Sequence, residues 1–236
     1  MVEYLLDPPV HPISGPIHLM PFVRIELTAM TIINGDLVVL LGRRTQAPHA
    51  GKWALPGGVL RIDLDRDLEE AAQRVAQERL GVRLPYLRQL IAVGSKDRDP
   101  QAPWALSIAY RALVPCEAID PKAGKRLEAI KWCPVAQAAA DPKLAFDHAA
   151  LIGAAVEVTR NEIENLTLPF GFLPEKFTLG ELQACCEALL GRRLDKSSFR
   201  RRLDDRDFLE PVEAEMRTGA FRPAQLFRRR RALTAT

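Results

Sequence analysis

The side chains with the most chemical reach fall in one stretch, from Arg43 to Arg79. Two arginines, Arg43 and Arg44, close an apolar run, and the loop TQAPHAGKWALPGG follows with Lys52, Trp53 and the pair Gly57–Gly58. Glycine lets backbone N–H groups come close to an anion. Trp53 can stack on a base or fill a core, and its surroundings in the chain favour neither role. Beyond the glycines, Leu68–Leu80 has helical spacing and carries Glu78 and Arg79. Carboxylates one helical turn apart share a face. Such a pair can hold Mg²⁺, which takes hard oxygens from one or two carboxylates and from substrate phosphates. Here that face carries Val75, Glu78 and Arg79. A guanidinium has no acceptor atom and opposes a dication, so Arg79 is suited to touching a phosphate itself. The plainer alternative is that Glu78 and Arg79 form a solvated helix face.

A second constellation lies after Pro174. Thr178 and Glu181 have the spacing of a capping box, and Leu182, Cys185, Cys186 and Leu189 give the helix that follows an apolar face, ended by Gly191. Asp195 caps a second helix with Phe199 and Leu203 turned inward. Two short helices joined by a glycine-containing turn make a helix-turn-helix. The outer face of the second helix would present Lys196, Ser197, Ser198, Arg200, Arg201 and Arg202 to a DNA groove. Leu209–Val212 and Gln225–Arg229 read as two strands of a wing, with Arg217-Thr218-Gly219 at the turn. Lys176, Thr178, Arg217 and Arg222 complete the set expected to contact DNA. Cations of this kind neutralise phosphates, and an arginine at a guanine edge gives sequence choice. A solvated surface is the alternative for Arg200–Arg202 and Arg228–Arg231, but the run falls on a capped helix pair followed by a wing.

The rest of the chain must position these groups. Val23–Asn34 reads as a strand, Asn34-Gly35-Asp36 as a hairpin turn, and Leu37–Arg44 as a buried strand. Leu68–Leu80 has one apolar face, and Gly81 suits its C-cap. Tyr86–Ser95, Trp104–Val114 and Arg126–Cys133 read as further strands. Leu144–Leu166 reads as one long helix, with His148 on its apolar face as a packing residue. Strands with helices against them predict an α/β sandwich. The segment LPFGFLP, residues 168–174, predicts a linker. The expected layout is an irregular N-terminal arm over residues 1–22, an α/β domain over 23–167, and a winged helix-turn-helix over 175–236.

Composition sets the outer bounds. The chain has 236 residues, 47% apolar and 27% charged, as in ordinary globular proteins. No apolar run approaches the roughly 18 residues of a membrane span, and the proline-broken N-terminus lacks the basic region of a signal peptide. Cys116, Cys133, Cys185 and Cys186 have no zinc-ligand spacing and suit a reducing cytoplasm. The net charge is +3 from 33 basic and 30 acidic residues, of which 14 and 10 lie after Leu173. The positive surplus therefore sits wholly in the C-terminal module, which favours a polyanionic partner there.

The stretch Gly57–Val82 resembles a Nudix box, the loop–helix–loop that holds a nucleoside diphosphate and its metal ions. GKWALPGG is close to the segment that leads into that family's cleft. Arg74, Glu78, Gly81 and Val82 match the box. Val75 stands where the first metal-binding Glu belongs, and Arg79 stands beside Glu78 where another does. Between Gly58 and Arg74 the chain is longer than the pattern, with Leu64 or Arg66 at a further expected Glu. The resemblance thus implies a Nudix scaffold stripped of most catalytic carboxylates, with no metal and no required cofactor. Joined to the winged helix, it is similar to the NrtR-type regulators and the related NadQ regulators of NAD metabolism. The segments RDP at Arg98–Pro100, SIAYRAL at Ser107–Leu113, FDHA at Phe146–Ala149, FTLGELQ, FRRRL and RPAQLFR strengthen it.

That family implies a homodimeric repressor on a palindromic operator in double-stranded DNA near NAD-biosynthesis or salvage genes. Its effector would be ADP-ribose, NAD or ATP, bound by Arg43, Arg44, Lys52, Trp53, Gly57, Gly58, Glu78, Arg79 and Arg98. Two other functions are compatible with the sequence. One is an active Nudix hydrolase of ADP-ribose or a similar nucleoside diphosphate derivative with an accessory nucleic-acid-binding domain. The other is a nucleotide-binding protein whose basic tail contacts RNA.

Overall fold

A computed structural model describes residues 21–115, 119–165, 167–217 and 223–230. Strands β1 (Phe22–Ile33) and β2 (Asp36–Arg44) form a hairpin. Its turn uses Asn34 and Gly35, both at positive φ, as a two-residue hairpin of right-handed twist requires. The pairs β3 (Trp53–Ala54) and β4 (Gly57–Val59) follow, then helix α1 (Leu68–Leu80). Strands β5 (Leu87–Ser95), β6 (Ala105–Leu113) and β7 (Leu127–Pro134) complete a seven-stranded mixed sheet of order β3-β2-β1-β6-β5, with β4 on β1 and β7 on β2. The β1–β6 pair is parallel, from Phe22 opposite Ala105 to Met30 opposite Leu113.

β1 is buried on both faces, and its alternation sorts side chains into two cores. Ile25, Leu27 and Ala29 pack with Ala71, Val75 and Leu80 of α1. Met30 faces the other way, into a core shared with α2 (Val135–Ala139) and α3 (His148–Glu164). Helix α1 begins where Asp67 accepts from the Glu70 N–H at 2.8 Å and ends where Gly81 turns left-handed at φ 70°. The structure is therefore the α/β/α sandwich that the sequence predicts, with layers on both sheet faces.

The winged helix comprises β8 (Phe177–Thr178), α4 (Leu179–Leu190), α5 (Lys196–Asp204), β9 (Leu209–Arg217) and β10 (Ala224–Arg229). Its sheet has the order β8-β10-β9. The capping box forms: Glu181 N–H donates to Thr178 Oγ1 at 3.1 Å, and Thr178 N–H donates to Glu181 Oε2 at 2.7 Å.

Several expectations need correction. The helix expected over Leu144–Leu166 starts only at His148, because Phe146 adopts a left-handed φ of 56° that breaks any helix running through it. Leu166 lies outside the described residues. Residues 168–174 contain a short 3₁₀ turn, Phe170–Phe172, and Leu168, Phe172 and Leu173 are buried in the core that runs from β2 and α3 into α4 and α5. The stretch of prolines and glycine thus packs between two units that share one apolar core. Phe22 already belongs to β1, which shortens the expected arm; residues 1–20 lie outside the described part. β9 extends to Arg217, past the predicted Val212, and Thr218, Gly219 and Arg222 lie outside the described residues.

Candidate ligand cleft and nucleic-acid interface

A hollow of about 240 Å³ opens between the start of β1, the loop after β2, the β4 turn and α1. Arg24, Arg44, Arg79 and Arg126 line it, together with Gly57, Gly58 and Asp99. Three of these arginines are fixed, each differently. Arg24 Nε donates to Glu26 Oε1 at 2.9 Å, and its Nη1 lies 3.7 Å from Asp99. Arg44 Nε donates to the Pro48 carbonyl at 2.9 Å. Arg79 Nε donates to the Gly57 carbonyl and Nη1 to the Lys125 carbonyl, both at 2.8 Å. The guanidiniums of Arg24 and Arg44 both sit 5.1 Å from the centre of the Phe146 ring, within cation–π range. Burial first, and then the neighbouring guanidiniums, push Arg44 and Arg79 below the ordinary arginine range. Crowded like charges in one hollow are costly without an anion to neutralise them.

Beneath the hollow lies a buried polar group. Glu26 is 1% exposed. Burial alone would raise its carboxyl, but the Arg24 charge and His148 outweigh that and hold it down at about 2. His148 accepts from the Leu55 N–H on Nδ1 at 2.9 Å, and its Nε2 stands 3.6 Å from Glu26 Oε2, an electrostatic contact rather than a hydrogen bond. Glu26 Oε2 and His148 Nε2 have no hydrogen-bond partner among the described residues. The Gly57 turn closes over this pair so tightly that a Cβ there would stand 1.9 Å from Glu26 Oε2. His148 packs fully buried, as expected, and also backs the carboxylate that orients Arg24.

The expected ligand residues divide among several places. Arg44, Gly57, Gly58 and Arg79 come together in the arginine-lined hollow. Lys52 and Arg98 line a neighbouring, wider hollow of about 650 Å³ with His49 and Phe146. Arg98 there is tied to Ser107 Oγ at 3.0 Å and to Asp147. Arg43, Trp53 and Glu78 border neither. Arg43 turns to the sheet edge and pairs with Glu128 at 3.5 Å. Trp53 packs against the α3-side core, with Lys131 Nζ 4.4 Å from its ring centre. Glu78 pairs with Arg74 at 3.5 Å and lines an open surface depression along α1.

Two positions of the box bring no carboxylate to the face of α1 that carries Glu78. Val75 is fully buried, and its Cγ2 lies where a Cβ on Gly58 would be 2.8 Å away. Arg79 is spent on two carbonyls, and Arg74 grips Asp65 of the longer loop at 2.6 and 2.7 Å. Among the described residues no group of three or more His, Cys, Asp or Glu is placed to hold an ion.

Sequence reasoning missed Arg24, Glu26, Asp99 and Arg126. Arg24 and Glu26 did carry a signal: two charges two residues apart in an otherwise apolar strand must share a face. Arg126, at φ 63°, gave none.

In the winged helix, Asp195 Oδ1 accepts from the Ser198 N–H at 2.8 Å and starts α5. Lys196, Ser197, Ser198, Arg200 and Arg201 are exposed along it, while Phe199 and Leu203 are buried. Arg202 is exposed too, but its Nη2 donates to the Glu164 carbonyl at the end of α3, at 3.1 Å. Thr178 is buried and its hydroxyl caps α4, which leaves it little to offer a phosphate. Lys176 is exposed, and Arg217 pairs with Glu181 at 3.3 Å.

Residues 24–153 match the NUDIX domain, and residues 169–229 match the NrtR DNA-binding winged helix domain. The protein is thus a Nudix domain coupled to a DNA-binding winged helix. The "ADPR responsive transcriptional repressor NtrR" of Acinetobacter baylyi is 34% identical over 208 residues, 88% of this chain and 82% of that protein. Shewanella oneidensis NrtR complexed with a 27mer DNA superposes with a TM-score of 0.75 at 34% identity, over 88% of this chain and 93% of that one. The Nudix domain of Shewanella oneidensis NrtR complexed with ADP ribose superposes with a TM-score of 0.56 at 31% identity, over 60% of this chain and 90% of that one. The chain belongs to the NrtR family of transcriptional regulators. No helix among the described residues is long and apolar enough to cross a membrane.

Proposed function

We propose that this protein is a cytoplasmic, ADP-ribose-responsive repressor that binds a palindromic operator as a homodimer and controls genes of NAD biosynthesis or salvage. The observation that carries the ligand half is the set of four guanidiniums, Arg24, Arg44, Arg79 and Arg126, around one hollow of about 240 Å³. That space falls below the ~300 Å³ at which sites for whole ligands begin, so it takes the diphosphate, and the rest of the effector extends toward Lys52 and Arg98. Charge on the protein replaces the metal ions at the diphosphate. ADP-ribose is preferred over NAD and ATP because a relative's Nudix domain holds it. The DNA half rests on the exposed cations and hydroxyls of α5, and a two-fold dimer would present two such helices to two half-sites.

The test is binding of ADP-ribose, NAD and ATP in chelator-treated buffer, read by thermal shift, with a Mg²⁺-dependent phosphate-release assay alongside. A ligand that binds the folded state at 100 times its Kd adds about 2.7 kcal/mol. ADP-ribose should stabilise the protein without metal, lose that effect in Arg44→Ala, and shift operator binding. Robust Mg²⁺-dependent turnover of ADP-ribose would overturn this function in favour of a hydrolase.

A further inference from the structure

A second cavity, of about 700 Å³, lies between the two domains and shares no lining residue with the arginine-lined hollow. Its walls come from the start of β5, the C-terminal end of β6, the C-terminal half of α3, the 168–171 connection, and the turn between α5 and β9 with the end of β10. Its volume lies within the range of small-molecule sites.

The charge along these walls is unbalanced. The three lining carboxylates are all occupied: Glu162 takes Arg111 Nη2 at 2.8 Å, Asp207 takes Arg230 at 2.9 Å, and Glu210 takes Arg228 from outside the cavity. Arg88, Arg206 and Arg229 also line it, and none has a carboxylate partner among the described residues. Arg229 instead holds its guanidinium 5.4 Å from the centre of the Phe170 ring. The cavity therefore offers three uncompensated cations beside aromatic surface from Phe170 and Phe208. Two non-glycine lining residues, Tyr86 at φ 53° just before β5 and Asp207 at φ 49° after α5, hold left-handed backbone. Such conformations collect at ligand clamps.

We propose that this interdomain cavity is a second effector site, for a small anion that carries a flat ring. The arginines take the anionic group through paired N–H donors, and the ring lies against the phenyl surface. A phosphate or a carboxylate satisfies the same chemistry, so the ligand is a nucleoside monophosphate or an aromatic carboxylate. Because α3 and the winged helix both supply walls, an occupant prefers one arrangement of the two domains and biases DNA binding accordingly.

The test is calorimetric titration of the full-length protein with AMP, benzoate and inorganic phosphate. The variants are Arg88→Ala/Arg206→Ala, whose side chains are exposed and without an ion-pair partner among the described residues, and Arg44→Ala in the first hollow. The expected result is saturable binding of AMP or benzoate, weakened at least tenfold in Arg88→Ala/Arg206→Ala and retained in Arg44→Ala. AMP alone would assign the anionic group as phosphate; benzoate alone would assign it as carboxylate. No saturable binding of either, or binding lost only in Arg44→Ala, overturns the site. Inorganic phosphate binding as tightly as both ringed anions overturns the role of the aromatic wall. Unchanged melting of the double variant confirms that lost binding is not lost folding.

Discussion

Glu26→Gln isolates the buried charge beneath the cleft. The substitution keeps the side chain's shape and an acceptor for Arg24, but removes the negative charge that Arg24 and His148 surround. In the folded protein the carboxyl is held at about 2, against an ordinary 4.5. At roughly 1.4 kcal/mol per unit, that depression is worth about 3 kcal/mol of folding stability at neutral pH. The folded state binds the proton less tightly than the unfolded chain, so the contribution is complete above pH 4.5 and disappears as pH falls toward 2. Chemical denaturation of both proteins at pH 7, 4 and 3 measures it. Glu26→Gln should be less stable by about 3 kcal/mol at pH 7, and the gap should narrow through the acid range. A difference below about 1 kcal/mol at pH 7, with parallel pH profiles, would refute the assignment of Glu26 as a charged, cation-held group.

Two further outcomes follow from the geometry. Gly57→Ala places a methyl 1.9 Å from Glu26 Oε2 and 3.0 Å from the Ile25 carbonyl; the Glu26 carboxylate must shift away from its buried seat beside Arg24, so stability should fall by about 1–3 kcal/mol and effector binding should weaken with it, as thermal melts and titration would report. Arg200→Ala with Arg201→Ala removes two exposed cations from α5, so operator affinity should drop and the dependence of log K on log salt should flatten by about 1 per lost phosphate contact; unchanged binding in a salt-series shift assay would move the DNA contact off α5.

Much of the fold is legible in the chain because its signals are local. The 3.6-residue spacing of Ala71, Ala72, Val75 and Leu80, bounded by Gly81, sets the limits of α1. The Thr178–Glu181 box and Asp195 set the starts of α4 and α5, since caps depend only on residues three apart. The Asn34-Gly35 hairpin is equally local. Where one residue's backbone overrode a periodic pattern, the sequence misled. Phe146 turns left-handed and delays α3, although the apolar spacing continues straight through it.

The cleft was legible only in part. The glycine turn and Arg79 could be placed because they lie within one short motif. Motif residues fell outside it for tertiary reasons: Arg43 reaches an edge carboxylate, Trp53 packs half-buried against the α3-side core, and Glu78 faces the outer side of α1. What joined Arg24, Arg44, Arg79 and Arg126 into one hollow was strand pairing and loop closure across more than a hundred residues, which no local spacing encodes. The same holds for His148 against Glu26 and for Arg202 against the end of α3. The sequence by itself determined the span of α1, the caps of α4 and α5, and which cationic side chains lie near the glycine turn and on α5. Only the tertiary structure decided which charges share a site, because burial and mutual repulsion depend on distances set by the folded sheet.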